Sequence, residues 1–288
     1  MFLAIGAAVF WGISGTSGQY LFESRYINVE WLITIRLLIS GVILLLYAQY
    51  SSKQNIFLIW KNNKNIFDLL IFSIIGMLAV QYTYFAAIKN SNAATATVLQ
   101  YCGPVLIAIY LTMRNRKIPG IKEIVAIVLA VIGTFLLVTH GNIHTLAISR
   151  AALILGLLSA LALAIYTLQP TSLLTKFNPI VVIGWAMLCG GLVFSIVKPP
   201  WKAEGIFDGY TYLHLILIIL FGTLIAFTLY LFSVKIIGGQ KASLLASAEP
   251  LAASVISVYW LNTSFTAIDW VGTMCIISTV FLLTKSEK

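Results

Sequence analysis

The chain has 288 residues, of which 60% are hydrophobic and 9% charged, with a mean hydropathy of +0.98. Soluble domains need about 25% charged residues to hydrate their surface, so the composition excludes a soluble enzyme or binding domain and implies an integral membrane protein. The net charge of +9 lies between the apolar runs, as topology signals do, and does not point to nucleic acid.

Ten membrane-length segments follow one another, at about 2–22, 31–50, 66–88, 93–113, 121–139, 151–173, 179–197, 211–234, 241–261 and 266–284. They are continuously apolar, not alternating, so they are expected as helices and not barrel strands. The first lacks the basic segment of a cleavable signal and reads as a retained span carrying Trp11 and Gln19. The second holds Arg36 about six residues from its outer end, roughly 9 Å deep at 1.5 Å per residue. Gln81 and Tyr82 fall in the third, and Gln100, Tyr101 and Pro104 in the fourth. The fifth follows the basic connection 114–122. Tyr166 and Gln169 lie in the sixth, Trp185 in the seventh and Tyr230 in the eighth; Glu249 and Pro250 stand side by side in the ninth. Cys102, Cys189 and Cys275 fall inside apolar runs, with no metal-site or disulfide spacing.

With the N-terminus inside, the inner connections hold Lys53, Lys61, Lys64, Arg114, Arg116, Lys117, Lys122, Lys176, Lys235, Lys241, Lys285 and Lys288. The outer ones hold only Arg25, Lys89, Arg150, Lys198 and Lys202, so both termini are expected in the cytoplasm of a plasma-membrane protein.

A shift of 146 residues lays Ile74–Lys89 over Leu220–Lys235 without a gap, matching Gly76 with Gly222, Tyr84 with Tyr230 and Lys89 with Lys235. The same register matches Pro104 with Pro250 and Glu123 with Asp269, and a shift of 150 matches Asn28 with Asn178 and Gly41 with Gly191. The chain therefore reads as two five-span repeats, residues 1–140 and 148–288. Five is odd, so the repeats have inverted topology, a plan that recurs in secondary transporters.

Pro104 and Pro250 remove the donors that would bind the carbonyls of Gln100 and Ala246, and are expected to kink their helices around a cavity or simply for packing. A carboxylate at bilayer depth costs about 2.5–3.5 kcal/mol even on the lenient insertion scale, so Glu249 is a functional candidate by default. It could accept a substrate ammonium, carry a coupling proton, or do each in turn; the bland reading is a neutral glutamate bonded to a neighbouring helix. Arg36 must snorkel or find an anion, and either a substrate carboxylate or Glu249 itself would serve. Gln81, Tyr82, Gln100, Tyr101, Trp11 and Tyr166 are candidate cavity-lining groups, each also compatible with a buried hydrogen-bonded role. Lys89 and Lys235 read as headgroup anchors. His140 and His144 have i, i+4 spacing, but Gly141 disfavours a helical metal pair. No phosphate-binding glycine loop, metalloprotease motif or nucleophile triad is present, and no cofactor is implied.

AAVFWGISGTSGQYLF near the start, NAATATVLQYCGPVLIAIYL, IKEIVAIVLAVIGTFLL and GGQKASLLASAEPLAASVISVYWL together resemble spans of the EamA-type transporters of the drug/metabolite superfamily. The resemblance covers both halves. It implies ten helices around a central cavity, cytoplasmic termini, and passage of small metabolites, amino acids included. Members usually carry a Leu-Gly-Glu-Arg-like sequence after the fourth and ninth spans, where this chain has MRNRKIPG and LNTSFTAI. The expected function is alternating-access export of small polar metabolites, amino acids or related amines first, driven by the proton or substrate gradient. Proton-coupled export of lipophilic cations is the second transport reading, and a non-transporting membrane scaffold is the reading from another class.

Overall fold

The computed structural model describes residues 2–51, 55–114, 116, 119–140, 142, 147–237 and 245–284, the side chains of Leu231, Val234, Lys235 and Thr284 excepted. Lys53, Lys117, Lys241, Lys285 and Lys288 of the topology count, and His144, lie outside the described residues.

The protein is an all-helical membrane protein of ten spans. These are α1 (Phe2–Ser24), α2 (Val29–Ser51), α3 (Asn63–Asn90), α4 (Ala93–Arg114), α5 (Ile121–Thr139), α6 (Arg150–Leu174), α7 (Pro179–Phe194), α8 (209–237), α9 (Ala248–Leu261) and α10 (Ala267–Thr284). Among the described residues six helices are long and apolar enough to cross a membrane by length and composition, and α7, α9 and α10 are shorter apolar helices.

Local chemistry starts these helices where the sequence offers a cap. Asn28 accepts the Trp31 N–H at 2.9 Å, and its repeat mate Asn178 accepts that of Ile180 at 2.9 Å. Each satisfies a donor that the first turn leaves open. Glu123 Oε2 accepts the Gly120 N–H at 2.9 Å and Asp269 Oδ2 the Thr266 N–H at 2.7 Å, so the matched carboxylates open α5 and α10 alike. His140, at the end of α5, places Nε2 3.1 Å from Asp269 Oδ1. Among the described residues no group of three metal-ligating side chains forms.

Spans three and eight widen where regular α-helix was expected. Residues Phe72–Leu78 and Leu217–Ile225 are π-helical, and the 146-residue offset lays one segment on the other. Spans four and nine break outright where simple kinks were expected. In α4 the helix ends at Gln100, turns through Tyr101 and Cys102, and restarts at Gly103; in span nine a turn at Ser247 precedes α9. The reason lies in where each proline falls. Pro104 and Pro250 occupy the first turn of the restarted helix, where a missing N–H leaves no carbonyl unpaired within that segment. Span six is also interrupted, at Pro170, between Arg150–Leu168 and Thr171–Leu174.

Packing follows the repeat. α2 lies on α7, α5 on α10 and α4 on α9, each helix meeting its own counterpart. α1 packs on α8 and α9, and α6 packs on α3 and α4, so the opening helix of each half is lodged in the other half. The α2–α7 crossing requires its glycines. A Cβ on Gly41 would sit 2.6 Å from the Leu188 backbone nitrogen, and one on Gly191 3.0 Å from the Leu38 backbone nitrogen. Such close backbone approach is how membrane helices pack without a hydrophobic driving force between them. On α5, Val125, Val128, Val131 and Ile132 are exposed, as side chains bathed in lipid would be.

Candidate functional site

A cavity of about 770 Å³ lies between the two halves. Its polar lining comes from α1 (Trp11, Ser14), α2 (Arg36), α3 (Gln81, Tyr84), α4 (Gln100, Tyr101), α6 (Tyr166), α8 (Tyr230) and α9 (Glu249). It continues to Leu111, Glu123, Leu174, Pro179 and Leu283, which sit at or near helix ends on the face where α1 begins and α10 ends. Most of the remaining wall is apolar, and the size suits a small molecule.

Glu249 stands one residue before Pro250, in the first turn of the restarted helix, which turns a side chain that a continuous apolar span would bury in lipid or packing toward the cavity. Its Oε2 is 3.1 Å from the Tyr101 hydroxyl, which also donates to the Ala246 carbonyl at 2.8 Å. Ala246 is the residue whose carbonyl partner Pro250 removes. The break in α4 thus supplies the donor that the break in span nine lacks.

Arg36 is buried, 5% exposed, and held by the wide turn of α8. Its Nε donates to Thr223 Oγ1 at 3.0 Å, one Nη lies 3.5 Å from the Gly222 carbonyl, and the guanidinium carbon lies 5.0 Å from the centre of the Phe85 ring. Both Gly222 and Thr223, which meet the guanidinium, lie in the π-helical segment of α8. Arg36 and Glu249 both line the cavity, and among the described residues no ion pair within 4.0 Å joins them. A guanidinium and a carboxyl group therefore face one space without direct contact.

The other candidates divide. Gln81, Gln100, Trp11 and Tyr166 line the cavity, with Gln100 Nε2 donating to Ser159 Oγ at 2.6 Å and Trp11 5.5 Å from both the Phe227 and Tyr230 ring centres. Pro104 lines it too; Pro250 is buried and does not. Tyr82 is placed elsewhere than expected: its hydroxyl donates to Glu30 Oε1 at 3.4 Å and its ring packs 5.4 Å from that of Phe194. Trp185 donates to the Ile56 carbonyl at 2.7 Å and Gln169 to that of Asp68 at 2.9 Å, both structural contacts. Ser14, Tyr84 and Glu123 join the lining without having been singled out for it. Tyr84 could have been found from its match with Tyr230, whereas Ser14 and Glu123 give no sequence signal for a cavity.

The opposite face is closed. Gln19 bridges α1, α4 and the approach to α10 by accepting the Ala93 N–H at 2.9 Å and donating to Thr263 Oγ1 at 3.2 Å. Tyr20, His214 and Trp260 pack their rings together, with centroids 4.4–5.7 Å apart. Beyond them Arg25 Nε lies 3.1 Å from Asp208 Oδ2. The Thr211 backbone N–H, helped by Arg25 and the Thr211 hydroxyl against the opposing effect of desolvation, holds the Asp208 carboxyl below its ordinary range.

Known proteins share this organisation. The EamA-like transporter family matches residues 1–139 and 150–285, one copy in each half. A Salmonella typhimurium protein named as the uncharacterized inner membrane transporter YicL is 43% identical over 98% of this chain and 94% of its own length. The uncharacterized transporter YwfM of Bacillus subtilis is 25% identical over 92% of this chain and 87% of its own. A WAT1-related chloroplastic protein of Arabidopsis thaliana is 22% identical over 88% of this chain and 62% of its own. A crystal structure aligns over 98% of this chain and 94% of its own with a TM-score of 0.65 and 14% identity, a likeness of fold.

Proposed function

The chain belongs to the EamA-like transporter family, and from that premise we propose that it is a secondary exporter of small zwitterionic metabolites, amino acids and related amines first, working by alternating access. The observation that carries this reading is the separated charge pair: Arg36 and Glu249 face one cavity and are not paired with each other. A zwitterion would set its carboxylate toward Arg36 and its ammonium toward Glu249. Each charge desolvated on entry would then meet an opposite one, which is what makes burial of charge tolerable. The wall of Trp11, Phe227 and Tyr230 would take the apolar part of the solute or a face of the ammonium.

With the termini in the cytoplasm, as the basic residues favour, the cavity mouth faces the cytoplasm and the Tyr20–His214–Trp260 layer closes the outer side. Loading would occur from within, and a proton taken up by Glu249 from the outside would return as substrate leaves. A second reading, export of lipophilic cations, is favoured by one feature. Arg36 already has Thr223, Gly222 and Phe85 as partners, while Glu249 and the aromatic wall alone would suffice for a cation.

Arg36→Gln separates the two. Counterflow of mixed labelled amino acids and of a lipophilic cation is measured in proteoliposomes holding either protein. Export of zwitterions predicts at least about a tenfold loss of amino-acid counterflow in the variant. Cation counterflow that is strong in both proteins, with no amino-acid signal in either, would replace the first reading by the second.

A further inference from the structure

The two interrupted spans meet through one hydroxyl. Tyr101 occupies the break in α4, and the 146-residue offset places Ser247, the break of span nine, at its mirror position. From there the Tyr101 hydroxyl reaches Ala246 O at 2.8 Å and Glu249 Oε2 at 3.1 Å. A phenol has one hydrogen to give and lone pairs to accept. If Glu249 is a carboxylate, both neighbours are acceptors and compete for that hydrogen. If Glu249 carries a proton, its O–H donates to Tyr101 and the Tyr101 O–H donates to Ala246, so every group is matched.

We propose that Tyr101 is a positioning residue that transmits the protonation state of Glu249 to the backbone of span nine, closing a clasp between the two repeats when Glu249 is neutral and opening it when Glu249 ionises. This rests on the proton-coupled reading above. When Glu249 loses its proton to cavity water or substrate, the carboxylate takes the phenolic hydrogen and Ala246 O is left without a donor, because Pro250 has none to give. The α4–α9 contact then loosens at mid-membrane, where the halves must move against each other. The device is one-sided, since the place of Glu249 in the first half is Gly103.

Other charged and titratable groups around the site set the background. Arg36, Tyr84 and Tyr230 face the same cavity from α2, α3 and α8, and Glu123 stands at its mouth on α5. On the helices packed against α9, Tyr20 and Glu23 of α1 and Asp269 of α10 lie toward the closed face, and Tyr259 is on α9 itself.

The test is infrared difference spectroscopy of the purified full chain between acid and alkaline pH. For the wild type, the carboxylic C=O band of Glu249 should vanish as pH rises, together with an amide I change from the released backbone; Glu249→Gln should remove both. In Tyr101→Phe the carboxyl should still titrate, with its C=O band shifted to higher frequency and its midpoint moved, while the coupled amide I change disappears. An unchanged band, midpoint and amide I signal in Tyr101→Phe would overturn the clasp. If Tyr101→Phe fails to fold, the wild type and Glu249→Gln decide alone: an amide I change that survives in Glu249→Gln overturns it equally. No readout depends on transport. These signatures without any substrate counterflow would therefore sink the exporter reading and leave the clasp standing.

Discussion

The first and second halves of the molecule agree in several caps, a helix crossing and the π-turns, and differ at the two charged residues deep in the cavity, Arg36 and Glu249. Asn28 and Asn178 cap matching helices, Gly41 and Gly191 let matching helices cross, and the π-turns of α3 and α8 coincide under the repeat offset. The 150-residue offset, however, puts Ala186 at the place of Arg36, and the 146-residue offset puts Gly103 at the place of Glu249. Duplication supplies two bundles, which the proposed alternating access would move against each other. The differences between them leave Arg36 and Glu249 without charged counterparts under the repeat offsets, and both line the one cavity in which a zwitterionic solute is proposed to bind.

If the shared residues are scaffold, breaking them should cost stability most. Gly41→Leu forces a side chain against the Leu188 backbone and should destabilise by about 3 kcal/mol or more, read as a large fall in melting temperature or loss of monodisperse protein. Gly191→Leu should do the same, and a mild effect of either would break the claim that the crossing is symmetric. The differing residues can be tested by moving one. Glu249→Gly with Gly103→Glu transfers the carboxylate to its mirror place, where a Cβ already meets the Ala160 carbonyl at 3.1 Å and the Leu163 side chain at 3.1 Å. The exchanged protein should transport no better than Glu249→Gly alone, and recovery of wild-type activity would show that the side of the axis does not matter.

The smallest expected effect is at the closed outer face. Asp208, depressed by the Thr211 N–H and by Arg25, contributes stability that is fully present above its unfolded value of about 3.9 and is lost as pH falls through its lower folded value. Asp208→Asn should therefore lower the melting temperature slightly at neutral pH, with the difference closing as the pH drops below about 4. A difference that grows with acidity would show that this carboxylate does not stabilise the closed layer.

Much of this was legible in the sequence because apolar run length and a gapless repeat are properties of the chain alone. The pairs Asn28–Asn178, Gly41–Gly191 and Pro104–Pro250 emerge from matching one half to the other, but their roles as caps, crossing glycines and restarts of broken helices do not. Tyr82 shows where such reading ends. Neighbours on a helix point about 100° apart, so the place of Gln81 in the cavity does not carry Tyr82 with it, and Tyr82 turns to Glu30 and Phe194. Gln100 and Tyr101 are equally adjacent and both line it, at the break in the helix. The π-turn that holds Arg36 carries no compositional mark, so neither Thr223 nor Gly222 could be assigned as its partner beforehand.

The most direct test of the account is gradient-driven export measured at two pH values in proteoliposomes carrying wild-type protein or Glu249→Gln, with labelled amino acids as substrate. The account predicts accumulation that follows the proton gradient in the wild type and falls at least about tenfold, with no remaining pH dependence, in the variant. Equal accumulation by both proteins with the same pH dependence would contradict it and make Glu249 a structural residue.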